Sequence, residues 1–165
     1  MNDPRDLLIH ELADILYVEQ ALVKTLPTLA KEATDKPLVQ GFQEHLAETK
    51  QHVTRVQRAF ELLGADVKAE QCPGFDGLKE EHDEFVSEQS PSPAVLDAFL
   101  TGAAARTEHY EIAAYEGMIA LARGLGERGA AQLLAQNLAE EKAALTKMKT
   151  IANRLAGASA AAKAA

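Results

Sequence analysis

The chain has 165 residues, of which 47% are hydrophobic and 25% charged, and its formal net charge is −8. This composition is typical of one soluble globular domain that is long enough to bury a core. The acidic balance argues against a protein that coats nucleic acid, because phosphate binding needs a basic surface. The single cysteine, Cys72, excludes an internal disulfide and a zinc site built on cysteines.

Neither a membrane span nor a secretory signal is predicted. No run reaches the roughly 18 consecutive apolar residues that indicate a membrane-spanning helix. The first residues, MNDPRDLLIHEL, lack a basic start followed by an apolar stretch. These features predict a cytoplasmic protein whose partners include neither membrane nor nucleic acid.

The first half of the chain reads as two long helices joined by a short turn. The first is predicted over residues 4–33, with Asp3 as its cap and Pro4 in its first turn. The second is predicted over residues 37–63, and Gly64 provides its C-terminal stop. A short connection favours antiparallel packing of these two helices.

The second half repeats this plan after a long crossover. Residues 64–92 carry one short acidic helix, predicted over residues 75–88. A third long helix follows over residues 93–123, with Ser92 as its cap, and a fourth over residues 127–156. Residues 157–165 are predicted to form an Ala-rich flexible tail beyond the domain of residues 1–156. Short, long and short connections predict an all-α, ferritin-like antiparallel four-helix bundle.

Apolar residues recur in the long helices at steps of four and three, which is the pattern of a bundle seam. Each seam position of the second hairpin follows its counterpart in the first by 92 residues, as Glu111 follows Glu19. The four seams are Leu8, Leu12, Ile15, Glu19, Leu22, Leu26 and Leu29; Phe42, Leu46, Thr49, Val53, Val56, Phe60 and Leu63; Leu100, Ala104, Thr107, Glu111, Ala114, Met118 and Leu121; and Leu134, Leu138, Glu141, Leu145, Met148, Ala152 and Leu155.

Glu19 and Glu111 are out of place on seams that should be apolar. An unpaired buried carboxylate is costly and favours its protonated form. A salt bridge, a water-filled pocket or a metal cation would each relieve that cost. A lone seam glutamate is usually explained by a salt bridge, but two at matching positions of a repeat favour a shared metal site.

Further polar side chains lie at the same level of the helices. Lys50 and Lys142 are predicted to point outward, so few cations face these acids. Tyr115 either packs in the core or donates a hydrogen bond to a ligand carboxylate, and His109 is predicted to point away. The candidate metal ligands are Glu19, His45, Glu48, His52, Glu108, Glu111, Glu140 and Glu141.

Four stretches resemble the YciE/YciF family of ferritin-like proteins: LIHELADILYVEQALVKTLPTLA, HLAETKQHVTRVQRAFELLG, RTEHYEIAAYEGMIALA and LAEEK. The resemblance extends from about Asp6 to Leu155. It implies a four-helix ferritin-like bundle with an extra short helix in the crossover, dimeric assembly and a link to bacterial stress responses. More distant ferritin-like proteins hold two iron or manganese ions with glutamates and Glu-x-x-His motifs.

By this resemblance, Glu19, Glu48 and Glu111 correspond to the carboxylates of the first, second and third helices, and Glu140 or Glu141 to that of the fourth. The chain departs from the family pattern, because Gln51 follows Glu48 where Glu-x-x-His requires a histidine, and alanines follow Glu140 and Glu141. The histidines lie three residues before and four residues after Glu48. A site for two ions, a site for one and a lost site all stay open.

Two hypotheses follow. In the first, the bundle holds iron, with two ions per chain favoured and manganese as the alternative, and it oxidises iron or handles peroxide. Its partners are then metal ions, dioxygen or peroxide, and a second copy of the chain in a homodimer. In the second, the chain is a metal-free, stress-induced bundle with a structural or binding role, and His45 and His52 pair with Glu19 and Glu111.

Overall fold

The computed structural model describes the backbone of residues 1–164 and the side chains of residues 1–158. Five helices follow one another: α1 (Pro4–Glu32), α2 (Lys36–Leu62), α3 (Pro73–Gln89), α4 (Pro93–Gly124) and α5 (Arg128–Ala164). No β-strand occurs within this part of the chain. The predicted all-α class and the short crossover helix are confirmed.

Helix ends follow local chemistry where the sequence predicted them. The Asp3 side chain accepts a hydrogen bond of 2.9 Å from the Arg5 amide, which caps α1. Gly64 and Gly126 adopt φ values of +62° and +79° just after α2 and α4. Such left-handed conformations are favourable for glycine and end helices. Ser92 is the N-cap residue of α4, although its side chain makes no capping hydrogen bond.

The four long helices form a ferritin-like bundle. α1 packs against α2 and α4, while α5 packs against α4 and α2, so each long helix has two neighbours. The short helix α3 lies outside this square and packs on α4. The crossover therefore covers one side of the bundle, and its Cys72 and Phe75 side chains join the hydrophobic core.

The predicted seams lie in the interior. Leucines and aromatic residues fill both ends of the core, including Leu8, Leu12, Phe42, Phe60 and Leu134. Burying a large apolar side chain stabilises the fold by about 1.5–3 kcal/mol. The apolar ends therefore hold the helices in register around a polar layer at mid-height.

The C-terminal boundary of the last helix is a correction to the sequence prediction. The fourth long helix was expected to end near residue 156, whereas α5 continues to Ala164. Alanine has the highest helix propensity, so the Ala-rich composition extends the helix even without an apolar seam. Ala165 lies outside the described residues, and the flexibility of residues 157–165 stays a prediction.

Among the described helices, none combines the length and the apolar character required to cross a bilayer.

Candidate metal centre

A layer of buried ionisable side chains crosses the centre of the bundle. All four long helices contribute to this layer. It contains six residues, and each of them is at most 4% exposed. The members are Glu19 from α1, His45 and His52 from α2, Glu108 and Glu111 from α4, and Glu141 from α5. The structure thus brings together six of the eight predicted ligands.

The helical repeat explains why these side chains meet. Glu19, Glu111 and Glu141 occupy seam positions, so their side chains point toward the central axis of the bundle. Glu108 precedes Glu111 by one turn and lies on the same side of α4. His45 is one turn before the seam residue Thr49 on α2, so it also points inward.

Two overlapping groups within the layer have the composition of metal sites. His45, Glu108, Glu111 and Glu141 form one group, and each offers a ligand atom within 4.8 Å of the others. His45 Nε2 lies 3.5 Å from Glu108 Oε1 and 3.7 Å from Glu141 Oε2.

The second group consists of Glu19, His52 and Glu141. His52 Nδ1 lies 2.8 Å from Glu141 Oε1 and 3.3 Å from Glu19 Oε1. Two ligands of an octahedral ion, each about 2.1 Å from it, are about 3 Å apart. Glu141 belongs to both groups, so its two oxygens are placed to serve neighbouring ions.

Unpartnered atoms test whether these residues fit a metal. Seven buried side-chain atoms have no hydrogen-bond partner among the described residues: Glu19 Oε2, His52 Nδ1, Glu108 Oε2, both carboxylate oxygens of Glu111 and both of Glu141. Leaving one such group unsatisfied costs about 1–3 kcal/mol, and more when it is charged. Carboxylate oxygens and an imidazole nitrogen are the ligands that iron and manganese accept. The donor set therefore fits a metal centre.

The pKa shifts in the layer also indicate that its buried carboxylates lack sufficient positive charge. Burial raises the pKa of Glu108 and Glu111 well above the ordinary value, and the nearby Glu141 carboxylate raises both further. Burial also raises the pKa of Glu19, although His52 opposes this shift. Burial alone would lower the pKa of His52, but the adjacent carboxylates of Glu141 and Glu19 raise it to about 10. In the absence of a cation, these pKa shifts favour the protonated forms of Glu19, His52, Glu108 and Glu111.

The other two predicted ligands lie at the rim. Glu48 Oε2 is 3.4 Å from His45 Nδ1, and its side chain is 37% exposed. Glu140 faces α2 outside the layer, where its carboxylate accepts hydrogen bonds of 2.7 and 3.0 Å from Arg55. His52 Nε2 lies 2.8 Å from the same carboxylate. Neither glutamate belongs to the two groups described above.

Arg55 is a cation at this level that the sequence analysis did not name. The arginine forms an interhelical ion pair with Glu140, while Lys50 and Lys142 are exposed as predicted. Burial opposes ionisation of Glu140, but the hydrogen bonds from Arg55 and His52 lower its pKa overall. The charge of Glu140 is therefore balanced by the Arg55 guanidinium, whereas the buried carboxylates of the layer pair with no lysine or arginine in the described structure.

Two further residues support the layer. Tyr115 donates a short hydrogen bond to Glu19 Oε1, and Asn137 Nδ2 donates to the Tyr115 hydroxyl at 2.9 Å. Asn137 Oδ1 in turn accepts a hydrogen bond of 3.0 Å from Arg55. Sequence reasoning placed Tyr115 correctly and named this bond as one of two roles, but it missed Asn137 and Arg55. The repeat offered a signal for Asn137, which follows His45 by 92 residues.

The remaining histidines lie elsewhere. His109 is exposed, as predicted. His10 lies near Asp14 and Glu70, with Nδ1 3.3 Å from Glu70 Oε2, in a half-exposed group. Lys68 already pairs with Glu70 at 2.7 Å, so this surface group is less acidic than the buried layer.

Comparisons with known proteins agree with this fold. A family model described as a domain of unknown function (DUF892) matches residues 3–161. Protein YciF of Escherichia coli is 37% identical over 153 residues, which cover 92% of each chain. The crystal structure of the E. coli stress protein YciF matches with a TM-score of 0.90 and 36% identity, covering 95% of this chain and 99% of that one.

Two further solved structures match. YcfI from Rhodopseudomonas palustris, whose description proposes a structural role, has a TM-score of 0.87 and 42% identity over 90% of this chain and 94% of that one. A protein from Xanthomonas campestris shares the fold at 21% identity, with a TM-score of 0.77 over 99% of this chain and 100% of that one. By the family match and the identity to YciF, the chain belongs to the DUF892 family of YciF-like, ferritin-like helical bundle proteins.

Proposed function

We propose that this chain is a stress-response protein that binds two metal ions in the buried layer, iron in preference to manganese, and oxidises iron or consumes peroxide. The main support for this proposal is that seven buried ligand atoms have no hydrogen-bond partner in the described part of the chain. The stress role is proposed by analogy with the E. coli stress protein YciF, whose crystallised chain is 36% identical in sequence to this one.

The two groups divide the ligands between the ions. His45, Glu108, Glu111 and Glu141 would hold one ion, and Glu19, His52 and Glu141 would hold the other. Glu141 would contribute to both, because its two oxygens lie 2.8 and 3.7 Å from the two different histidines. Two such ions, when bound, would each give up one electron, and two electrons with two protons reduce one hydrogen peroxide molecule to water.

The protein's own side chains orient the ligands and exclude water. Tyr115 and Asn137 fix the position of Glu19, and Arg55 holds Glu140 against the outer nitrogen of His52. A carboxylate hydrogen-bonded to the far nitrogen of a ligating histidine fixes its tautomer and raises its basicity. His52 Nδ1 is thereby directed to the metal side.

A metal-free structural bundle is the second candidate. The proximity of His52 to Glu19 favours it, since this is the pairing that a metal-free core would use. The structural role proposed in the description of YcfI points in the same direction. Glu111 argues against it, because neither carboxylate oxygen has a hydrogen-bond partner within the described residues.

Elemental analysis of the purified protein tests the proposal. The protein is expressed in medium supplemented with iron and manganese, beside a Glu19→Ala/Glu111→Ala double variant. A Glu44→Ala/Glu116→Ala double variant is the matched control, because both residues are exposed. Two ions per chain are expected in wild type and control, and none in the test variant. Metal-free wild-type protein with an intact fold would overturn the proposal and favour the structural role.

The homodimer implied by the family resemblance stays a prediction. Light scattering during size-exclusion chromatography distinguishes a dimer from the 17.8 kDa monomer.

A further inference from the structure

A small cavity lies between the bundle and the crossover helix α3. Its volume is about 50 Å³. Its wall is mostly apolar and includes Leu22, Leu26 and Leu29 of α1, Phe42 of α2, Ala104 of α4 and Met148 of α5, while Thr25 and Thr107 add hydroxyl groups. A cavity of this size accommodates a few atoms, whereas an extended organic substrate requires several hundred Å³.

The inner end of the cavity is formed by two candidate metal ligands. His45 and Glu108 line the cavity and also belong to the four-residue group of the buried layer. Glu108 is 3% exposed, and its Oε2 has no hydrogen-bond partner among the described side chains. A molecule in the cavity would therefore contact the polar layer directly.

Helix α3 covers part of the outer end. Phe75, Leu78, Lys79 and His82 of this helix line the cavity. Phe75 is the one residue of α3 that is fully buried. Elements with few buried apolar contacts open at low free-energy cost. We therefore expect α3, with one buried side chain, to open more readily than the long helices α1, α2 and α4.

Polar contacts hold this cover in place. Tyr17 donates a hydrogen bond of 2.7 Å to Asp76, and His82 Nε2 lies 3.0 Å from Glu32 Oε2. These contacts join α3 to α1 at two places along the cavity. They position the cover without filling the space beneath it.

The apolar wall determines which molecules this space accepts. Because most of the exposed wall is apolar, water and hydrogen peroxide would find few hydrogen-bond partners on entry, and burying a polar group without partners costs about 2–7 kcal/mol. Apolar cavities of proteins stay dry and take up apolar molecules such as xenon. We propose that this cavity is a ligand site for a small, uncharged apolar molecule of the size of dioxygen, held against His45 and Glu108 beneath α3.

That the bound molecule then lies beside metal ions rests on the function proposed above, whereas binding itself does not. The experiment therefore uses the full chain treated with chelator, with xenon as the probe. The chain contains three methionines, whose methyl groups are labelled with ¹³C. Met148 lines the cavity, Met118 is buried elsewhere in the core, and Met1 is exposed. Xenon is expected to shift the Met148 methyl signal and to leave the other two unchanged.

A cavity-filling variant tests the location. Ala104→Leu should weaken the xenon-induced shift of Met148 several-fold, and Ala104→Val fills less space if the larger change disturbs folding. Ala120→Leu on the exposed face of the same helix is the matched control and should leave the shift intact. No xenon effect at Met148, or an equal effect in the Ala104 variants and wild type, would overturn the ligand site.

The two proposals fail separately in these experiments. Xenon binding by a chain that takes up no metal overturns the metal function and leaves the ligand site standing. Metal uptake without xenon binding overturns the ligand site and leaves the metal function standing.

Discussion

The two halves of the bundle have the same backbone plan but contribute different chemistry. The hairpin of α1 and α2 supplies both buried histidines and one buried glutamate, Glu19. The hairpin of α4 and α5 supplies three buried glutamates and Asn137. Imidazole and carboxylate therefore face each other across the interface between hairpins.

One pair of equivalent positions shows how the halves diverged. Thr49 on α2 and Glu141 on α5 occupy the same seam position, 92 residues apart, and both are fully buried. The Thr49 hydroxyl donates a hydrogen bond of 2.8 Å to the His45 carbonyl, so α2 satisfies it internally. No well-aligned hydrogen bond reaches either Glu141 oxygen in the described structure, although Oε1 lies 2.8 Å from His52 Nδ1. A repeated position can thus be inert in one half and available for a ligand in the other.

The largest expected effect on metal binding comes from replacing Glu141 by threonine, the residue at the equivalent position 49. Glu141→Thr should abolish binding of both ions, because Glu141 is the residue common to the two groups. Glu116→Thr replaces an exposed glutamate of the neighbouring helix α4, and this matched control should retain both ions. Elemental analysis of each variant measures the metal content per chain. Retention of two ions by Glu141→Thr would show that the two groups do not share this residue.

The contrast between hairpins also predicts a pH dependence for the chelator-treated protein. His52, with a folded-state pKa of about 10, stabilises the fold fully below its unfolded value of 6.5, and this stabilisation is lost as the pH rises toward 10. Glu108 and Glu111 hold protons in the folded state above the pH at which the unfolded chain releases them, because burial raises their pKa. Their raised pKa values therefore also make the folded state less stable as the pH rises.

The metal-free protein should therefore lose stability from pH 6 to pH 8, by about 1.4 kcal/mol per pH unit for each excess proton held. Urea denaturation at several pH values measures this slope. The metal-loaded protein should show a weaker or opposite slope, since ions compete with protons for these ligands. A metal-free protein that gains stability toward pH 8 would contradict the prediction.

A single buried carboxylate provides a smaller test. Glu111→Leu should stabilise the metal-free protein by about 1–3 kcal/mol, because two unpaired oxygens are replaced by apolar surface. Glu116→Leu is the control, since Glu116 is exposed and pairs with Lys142 at 2.6 Å. That substitution should change the free energy of unfolding by less than about 0.5 kcal/mol. Urea denaturation in chelator measures both, and destabilisation by Glu111→Leu would show that this carboxylate has a structural partner.

The smallest expected effect concerns the support of Glu19. Tyr115→Phe removes the hydroxyl that donates to Glu19 and should weaken metal affinity by about tenfold, as loss of such a supporting bond usually does. Tyr110→Phe on the same helix is the control, because the Tyr110 hydroxyl contacts Cys72 instead. Competition with a chelator of known affinity measures both variants. Equal affinities would show that Glu19 needs no support from α4.

Much of the fold could be predicted because local signals agree with one another. Asp3 and Gly64 mark helix ends by capping and left-handed geometry, which depend only on neighbouring residues. The end of α5 was misplaced, because alanines continue a helix without an apolar seam to show it. Seam periodicity also placed Glu19 and Glu111 in the interior.

The sequence by itself determined the bundle, the duplicated hairpins and the level at which carboxylates converge, because helical periodicity fixes which side chains share a face. Only the tertiary structure showed that Glu141 lies in the buried layer, whereas Glu140 pairs with Arg55 of another helix. It also decided that α3 covers a cavity ending at His45 and Glu108. Such contacts join residues far apart in the chain, and their geometry depends on how each helix is rotated against its neighbours.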